Sequence, residues 1–335
     1  MKIGLIGAGS MGKIHAAGWQ AAGCTIAAVL KTPDSSAEDL AASHGATVVD
    51  EVAALAAHSD LVDVCSPTDL HSAHVLAAVQ AGAGAIFCEK PLARELPDAI
   101  RMVQACRTAG IALGVGHVLR FFPEYAGARA AVERGDVGQL GVLRFSRRTF
   151  APQTPWFRDT AKSGGVILDL MIHDLDFART LAGEVSSVFA RIDSDTAGRE
   201  HAYAFLSHTS GTITHVEGSW RYPQPEFHTS FELAGSKGLL TFDSATSSAL
   251  QPHLSQSPAD RSASQTLPEV PAAASPVADD PYAIELAAFR DALTGGKQAP
   301  VPGEEGVRTL QLALAVRESA LGGKPVAIEP WEEQR

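Results

Sequence analysis

The chain has few basic residues for its length, and this shortage excludes two classes of partner. It carries 27 lysines and arginines against 38 aspartates and glutamates, which gives a formal net charge of −11. Nucleic acids and anionic membranes are bound by clustered basic surface. We therefore expect no nucleic acid and no membrane among the partners of this protein.

Long apolar runs and paired cysteines are also lacking. No apolar run approaches the roughly 20 residues that a bilayer span needs, and the strand-like start MKIGLIG leaves no room for a signal peptide. The four cysteines lie singly in apolar segments, without the CxxC spacing of a metal or redox site. We therefore expect a cytoplasmic protein whose thiols are buried and reduced.

The first third of the chain alternates apolar runs with segments of helical spacing. The apolar runs lie at 2–7, 24–30, 46–49, 61–66, 85–90 and 111–117, and the helical segments lie around 12–22, 35–44, 50–58, 70–82 and 94–109. The runs are apolar nearly throughout, as strands of a parallel sheet covered on both faces require. The alternation predicts an α/β fold with a doubly wound parallel sheet, and the length of 335 residues predicts a second domain.

A glycine-rich turn follows the first predicted strand. GAGSMG (7–12) is a G-x-G-x-x-G sequence with a strand before it and a helix after it. Gly7 permits the tight turn, Gly9 lets the backbone approach a pyrophosphate, and Gly12 allows the helix to pack closely on the strand. The helix N-terminus then offers N–H groups to the phosphates. The predicted cofactor contacts here are Gly7, Gly9, Ser10, Met11 and Gly12.

The end of the second strand bears on the choice between NAD and NADP. An acidic residue there holds the ribose 2′-hydroxyl of NAD. The strand instead continues as AAVLKTPDSS, which brings Lys31 near that position and Asp34 three residues later. Because a lysine attracts a 2′-phosphate, the sequence favours NADP, and NAD held through Asp34 is the alternative.

A polar stripe interrupts an apolar helix in SGGVILDLMIHDLD (163–176). Asp169, His173 and Asp176 fall at i, i+4 and i+7, within about 60° of one another on a helical wheel. Surface helices usually place acids on a broad solvated face, whereas apolar residues flank this stripe on both sides. The stripe therefore either faces a cleft or is satisfied by backbone or a neighbouring helix.

A metal site is an alternative for the same stripe, since its three side chains are potential ligands on one helix face. Catalytic zinc sites use such mixed ligands, but no second carboxylate–histidine cluster accompanies this one. His201, His208 and His215 are seven residues apart in strand-like segments, so that successive members fall on opposite faces. We therefore predict no metal.

Beyond residue 120 the pattern changes to consecutive strands. A helix is predicted over 123–134, with Gly135 as its cap. Strands are predicted at 140–150, 185–193, 201–207, 211–220, 227–235 and 238–243, and the short turns between them favour antiparallel pairing. The segment 244–281, rich in serine, alanine and proline, predicts a surface excursion with little regular structure.

Taken in order, four segments resemble the Gfo/Idh/MocA family of oxidoreductases. They are GAGSMG, CSPTDLHSAH (65–74), CEKP (88–91) and GGVILDLMIHDLD (164–176). The resemblance covers almost the whole chain, and SGGVILDLMIHDLDFAR is similar to the inositol dehydrogenase branch. It implies a dinucleotide-binding Rossmann domain over 1–120. It also implies a substrate-binding and oligomerisation domain over 121–335, with a large, mainly antiparallel open sheet whose exposed face forms dimers or tetramers. The last helices would pack back on the Rossmann domain.

The resemblance also implies three catalytic residues. His173 would be the acid/base, which suits an imidazole whose reference pKa lies near ~6.5. Asp169 would orient the substrate hydroxyl and the imidazole. Lys90 would lie beside the nicotinamide and stabilise alkoxide character, and its bond to Pro91 is expected to be cis. Asp176 is left as a structural contact.

Further binding residues are implied in the same way, around the cofactor and the substrate. The cofactor contacts would be Ser66, Pro67, His71, Glu89 and Lys90, with His117 and Arg120 near the nicotinamide end. Asp69 stands where an asparagine is common in the family, which puts a side-chain contact there in doubt. Trp156 and Arg158 would line the substrate pocket with Asp169, His173 and Lys90, although a core tryptophan is an equal alternative. Arg147 and Arg148 are equally well explained as solvated strand residues.

The implied function is an NAD(P)-dependent dehydrogenase acting on a secondary hydroxyl of a sugar or cyclitol, with myo-inositol first. The alternatives are a dehydrogenase for another sugar derivative or a dihydrodiol, and a nicotinamide-nucleotide sensor without turnover. A sensor would not need Lys90, Asp169 and His173 together. Their joint presence favours an enzyme.

Overall fold

A computed structural model describes residues 1–32, 36–152, 155–223, 226–254, 280–329 and 331. Within these residues the chain divides into two units. The first contains residues 1–121 and the described part of 275–310, and the second contains the described parts of 122–274 and 311–335. Among the described helices, none is both long enough and apolar enough to cross a membrane.

The first unit is built on a six-stranded parallel sheet. Its strands are β1 (Lys2–Ile6), β2 (Thr25–Leu30), β3 (Thr47–Val49), β4 (Leu61–Val64), β5 (Ala85–Glu89) and β6 (Ala112–Gly116). The helices between them are α1 (Ser10–Ala21), α2 (Ala37–His44), α3 (Val52–Ala57), α4 (His71–Gln80) and α5 (Leu96–Thr108). The order β3-β2-β1-β4-β5-β6 confirms the predicted doubly wound sheet, and all six predicted strands are present.

The strand order places one edge of this sheet in position for a ligand. The order reverses between β1 and β4, and doubly wound sheets bind ligands at the carboxyl ends of the strands beside such a reversal. Gly7 follows β1, Cys65 follows β4 and Lys90 follows β5, so these three loop starts share that edge. Two of the strands that lead to this edge, β4 and β5, are buried throughout.

The second unit is built on an eight-stranded sheet of mixed direction. Its elements are α6 (Pro123–Glu133), β7 (Leu140–Thr149), α7 (Pro155–Arg158), α8 (Thr160–Ser163), a π-helical turn (Ile167–Met171), α9 (Ile172–Ala182), β8 (Val185–Ser194), β9 (Glu200–His208), β10 (Ile213–Ser219), β11 (Phe227–Gly235), β12 (Gly238–Asp243) and β13 (Ser247–Leu254). Only β7 and β10 pair in parallel among the described strands of this sheet, so the prediction of a mainly antiparallel sheet is confirmed. Gly135 follows α6 with a φ of 77°, as expected for its cap.

The two faces of this sheet differ in exposure. In β9 every second residue is buried, from Ala202 to Leu206, whereas Tyr203 and Phe205 between them are exposed. On the covered face α9 packs on β7, with the ring centroids of Phe177 and Phe145 6.1 Å apart. This alternation is typical of a sheet with one face on the core.

Three elements complete the fold, namely α10 (Pro281–Thr294), α11 (Gly303–Gly322) and β14 (Val326–Ala327). Helix α10 belongs to the first unit, where the ring of Phe289 lies 5.2 Å from that of Phe87 on β5. Strand β14 extends the second sheet beyond β8, and the order there is β13-β12-β11-β7-β10-β9-β8-β14.

The expectation of little regular structure over 244–281 is wrong for its first part. Residues 247–254 form β13, which pairs with β12 at the edge of the sheet. An edge strand tolerates Pro252, whose missing N–H removes no bond from an inner ladder. Residues 280 and 281 cap and begin α10, since the Asp280 side chain accepts a hydrogen bond from the Tyr282 N–H. The remainder of the predicted excursion, 255–279, lies outside the described residues.

Candidate active site

The glycine-rich turn has the geometry that a pyrophosphate cradle requires. Gly7 adopts a φ of 105°, and a Cβ on Gly12 would overlap the Gly7 carbonyl oxygen. No atom lies within 4 Å of a Cβ built on Gly9, so the space before this residue is open. Gly9 also provides no side-chain cap for α1, which leaves its first-turn N–H groups, those of exposed Ser10 and half-buried Met11, for a ligand. The turn therefore fits a dinucleotide.

At the end of β2, Lys31 is paired with a carboxylate that the sequence did not reveal. Its Nζ lies 2.7 Å from Oε1 of Glu38 on α2, and both side chains are more than half exposed. The hydrogen bond from Lys31 lowers the pKa of Glu38, and the same bond raises the pKa of Lys31. Asp34, the alternative ribose acid, lies outside the described residues. The charge of Lys31 is thus partly neutralised within the fold.

The loop after β4 is held by two histidines. The buried His71 ring lies 2.9 Å from the Ser66 carbonyl oxygen through Nε2 and 2.9 Å from the Pro91 carbonyl oxygen through Nδ1. His71 thus connects this loop to the turn that carries Lys90. The hydroxyl of buried Ser66 lies 2.9 Å from Nδ1 of His74, whereas Pro67 is exposed.

The Lys90 turn has one accessible side chain and one that is enclosed. Lys90 is half-buried, and its bond to Pro91 is cis, as predicted. Glu89 is only 5% exposed, and both its carboxylate oxygens are engaged. Oε2 accepts the Lys90 backbone N–H at 2.8 Å, and Oε1 lies 3.0 Å from Nε2 of His15. Glu89 therefore holds the backbone of the turn through the Lys90 N–H.

Two residues expected near the nicotinamide end are buried in the first unit. His117 is 1% exposed, and Arg120 is 8% exposed. The Arg120 Nη2 donates to Oε2 of Glu305 at 3.1 Å.

The polar stripe of the second unit is divided by the π-helical turn. Asp169 lies in that turn and His173 lies in the first turn of α9, and both are half-buried. Asp176 is fully buried, so the predicted single stripe on a regular α-helix is wrong. A π-helical turn changes the angular spacing along the helix, and such turns occur frequently at functional sites.

A buried carboxylate holds the beginning of this π-helical turn. Oε2 of Glu200 accepts the Val166 N–H at 2.6 Å, and burial raises the pKa of Glu200. Gly165 has a φ of 71°, and a Cβ there would overlap the Glu200 carboxylate. The backbone that carries Asp169 is thereby fixed at its start.

Arg147 is not a solvated strand residue. It is buried and forms a bidentate ion pair with Asp174, with distances of 2.8 Å from Nε and 2.9 Å from Nη2. Nη2 also donates to the Tyr125 hydroxyl at 3.3 Å. The pair joins β7 to α9 directly beside His173. Arg148, on the opposite face of β7, is half-buried and donates to the Tyr222 hydroxyl at 3.0 Å.

The predicted substrate-pocket residues of α7 are partly described. Trp156 is half-buried and stacks on Phe157 with a centroid distance of 4.0 Å, so it is not a core tryptophan. The side chain of Arg158 lies outside the described part of the chain.

Two family models match the chain. Residues 1–117 match the oxidoreductase family with an NAD-binding Rossmann fold, and residues 125–241 match the GFO/IDH/MocA C-terminal domain. The chain belongs to the Gfo/Idh/MocA family. The resemblance, the fold class and the enzyme class predicted from sequence are therefore confirmed, and this family member is an oxidoreductase.

Relatives within the family match along the full chain. Myo-inositol 2-dehydrogenase of Thermotoga maritima is 31% identical over 344 residues, covering 98% of this chain and 99% of the relative. Inositol 2-dehydrogenase of Rhizobium meliloti is 27% identical over 339 residues, covering 98% and 99%. The solved structure of levoglucosan dehydrogenase in complex with NADH and L-sorbose has a TM-score of 0.88 at 23% identity, covering 99% of both chains. That likeness shows the same fold.

Around the candidate site, sequence reasoning left Arg147 as a solvated strand residue and missed Glu38 and Glu200. Arg147 could have been assigned from strand alternation, because Leu143, Phe145 and Arg147 share one face of β7. Its buried position then calls for an acid, which Asp174 provides. Glu38 and Glu200 carried no such signal, since each meets its partner only through the tertiary fold.

Proposed function

We propose that the protein is an NAD(P)-dependent dehydrogenase for a secondary hydroxyl of a sugar or cyclitol, with myo-inositol as the first candidate. One observation carries this proposal. Lys90, Asp169 and His173 are each half-buried, whereas the neighbouring acids Glu89, Asp174 and Asp176 are buried. The full-length relationship to two inositol 2-dehydrogenases supports the choice of substrate class.

Each of the three residues has a separate task in the proposed reaction. When bound, the nicotinamide accepts the hydride from the carbinol carbon, or returns it. The imidazole of His173 takes the hydroxyl proton in oxidation and returns it in reduction. Asp169 orients the hydroxyl and the imidazole and stabilises the imidazolium. The Lys90 ammonium stabilises negative charge on the substrate oxygen as its proton leaves.

We propose NADP over NAD as the preferred cofactor, since Lys31 offers a cation to the 2′-phosphate. The phosphate must compete with Glu38 for that cation, so the preference should be moderate. The cradle would comprise Gly7, Gly9, Ser10, Met11 and Gly12, with Ser66, Pro67, His71 and Glu89 shaping the adjoining loops. The Michaelis constant should be lower for NADPH than for NADH, and the reverse order by tenfold would reject this preference.

We further propose a cytoplasmic homo-oligomer, either a dimer or a tetramer. The four cysteines are free thiols, as expected in a reducing compartment. The open face of the eight-stranded sheet exposes Tyr203, Phe205 and Ile213, which supports self-association through this face.

Reduced-cofactor absorbance tests the central proposal across inositols, aldoses and sugar acids with both nucleotides. Lys90→Met and His173→Ala should abolish turnover and leave cofactor affinity nearly unchanged. Lys297→Met and His58→Ala are matched controls at exposed positions and should retain activity. Binding of NADPH without oxidation of any polyol would favour the sensor instead. Loss of cofactor binding in the Lys90 or His173 variant would reassign that residue.

A further inference from the structure

A buried polar cluster lies directly behind the Lys90 turn, within the first unit. The His15 ring, fully buried on α1, stands between two acids on neighbouring strands. Its Nδ1 is 2.9 Å from Oδ2 of Asp63 on β4, and its Nε2 is 3.0 Å from Oε1 of Glu89 on β5. The Trp19 indole N–H donates to the same Asp63 oxygen at 2.7 Å. The cluster spans helix α1 and two strands.

The contacts of His15 favour a doubly protonated ring. A neutral imidazole has one N–H, whereas two carboxylate acceptors call for two donors. Burial by itself lowers the pKa of His15, but Cys65 and Asp63 beside the ring outweigh burial and hold that pKa well above its usual value. Burial likewise acts to raise the pKa of Glu89, but the hydrogen bond and charge of His15, together with Lys90, outweigh burial and lower that pKa. An imidazolium between two carboxylates is the consistent arrangement.

A metal ion explains the cluster less well. Among the described residues, His15, Asp63 and Cys65 are the one group of potential ligands with atoms within 4.8 Å of one another. Ligand atoms about 2 Å from a tetrahedral zinc stand about 3.3 Å apart. The 2.9 Å from His15 to Asp63 is instead a hydrogen-bond distance.

We propose that His15 is a positioning residue for Lys90, acting through Glu89. As a cation that bridges Asp63 and Glu89, it fixes the Glu89 carboxylate, whose second oxygen holds the Lys90 backbone N–H. The assignment rests on the proposed function only in that Lys90 takes part in the reaction. His71 holds the other side of the same turn through the Pro91 carbonyl oxygen.

The strand register leaves room for this arrangement. Glu89 of β5 lies opposite Gly116 of β6, and a Cβ built on Gly116 would come within 3.1 Å of the Glu89 carboxyl group. A glycine at this position thus leaves the carboxylate its place between His15 and Lys90.

His15→Gln in the full-length protein tests the proposal, with His208→Gln as the matched control. His208 is also a buried histidine bonded through both ring nitrogens, at 2.8 Å to the Gly183 carbonyl oxygen and 2.8 Å to the Thr214 hydroxyl. Amide hydrogen exchange over residues 85–93 should become at least tenfold faster in His15→Gln and stay unchanged in His208→Gln. The kcat should fall about 10- to 100-fold, as for a catalytic group displaced by a fraction of an ångström to one ångström. The KM for substrate and the Kd for NADPH should change less than threefold.

A double-variant cycle separates positioning from general instability. If His15 acts through Glu89, His15→Gln should reduce kcat much less in a Glu89→Gln background than in the wild type. Should His15→Gln fail to fold, the ring ¹⁵N shifts of wild-type His15 supply the test. They should show both nitrogens protonated at pH 7.

The outcomes distinguish this proposal from the proposed function. Unchanged exchange at 85–93, or a neutral His15 ring, overturns the positioning role whatever the activity. The role is also overturned if His15→Gln reduces kcat by the same factor in the Glu89→Gln background as in the wild type. If the wild type oxidises no polyol but exchange over 85–93 still rises in His15→Gln, the positioning role stands and the proposed function fails.

Discussion

At the scale of single residues, the sequence predicts candidate site residues but not the charged partners that the fold brings to them. Lys31 was correctly found at the end of β2, yet its partner Glu38 lies seven residues later on a helix. The glycine-rich turn could be predicted because backbone geometry determines it locally. Pairs such as Lys31–Glu38 and Arg147–Asp174 join different elements and depend on how those elements pack, which a local pattern does not contain.

Glu38→Gln should shift cofactor preference toward NADPH. The substitution removes the carboxylate that competes with a 2′-phosphate for Lys31. Because ion pairs between exposed side chains are weak, the ratio of KM for NADH to KM for NADPH should rise only about two- to fivefold. Glu51→Gln, an exposed acid in the same unit, is the control and should leave the ratio unchanged. A ratio that stays constant or falls in Glu38→Gln would show that Lys31 does not meet the 2′-position.

Arg147→Met should strongly destabilise the fold. It leaves the Asp174 carboxylate buried without its bidentate partner, and breaking a buried ion pair in this way costs about 3–5 kcal/mol in the free energy of unfolding. Arg144→Met is the control, since Arg144 lies on the same strand in an exposed pair with Glu232 and should change stability by less than about 1 kcal/mol. Urea denaturation measures both, and equal losses would contradict the structural role of Arg147.

At the scale of elements, the strands and most helices followed from hydrophobic periodicity, whereas the π-helical turn did not. The helical wheel assumes about 100° per residue. The turn at 167–171 breaks that assumption between Asp169 and the residues of α9. Within α9 itself, Asp176 is buried whereas His173 is half-buried. Apolar residues occupy this segment nearly throughout, and its periodicity therefore could not reveal the change. Strand β13 also lacks a clear hydrophobic period in its sequence. Among the described strands it pairs with β12 alone, at the edge of the sheet, and its backbone hydrogen bonds do not need such a period.

Gly165→Ala should disturb the beginning of the π-helical turn. The new Cβ must displace the Glu200 carboxylate from the Val166 N–H, and alanine must also adopt a φ near 71°. The two effects together should lower the free energy of unfolding by about 2–4 kcal/mol.

Gly135→Ala isolates the backbone contribution. Gly135 has a φ of 77°, and no atom of the described residues lies within 4 Å of a Cβ built there. Gly135→Ala should therefore lower the free energy of unfolding by only about 1 kcal/mol. The kcat should fall in Gly165→Ala alone, because Asp169 lies four residues further on. Equal stability losses in the two variants, measured by urea denaturation, would show that Glu200 moves aside freely.

At the scale of the whole molecule, the order of strands and helices along the sequence predicts the architecture of both sheets. Six apolar runs alternating with helices are compatible with few arrangements other than a doubly wound sheet. The strands beyond residue 120 likewise predicted the second sheet. What the pattern left open was which charged residues enter the core, because burial of a charge depends on a partner brought by another element.

The exposed face of the second sheet carries the aromatic patch through which we expect the chain to associate with a second copy. Phe205 is 51% exposed and lies opposite His215 on β10, with ring centroids 5.0 Å apart, in a patch that also contains Tyr203. A charge at the centre of an apolar interface opposes association. Phe205→Glu should therefore lower the mass measured by light scattering toward that of one chain. Leu321→Glu, at a 68% exposed position on α11, should leave the oligomer intact. A wild type that already scatters as a single chain would contradict self-association through this face.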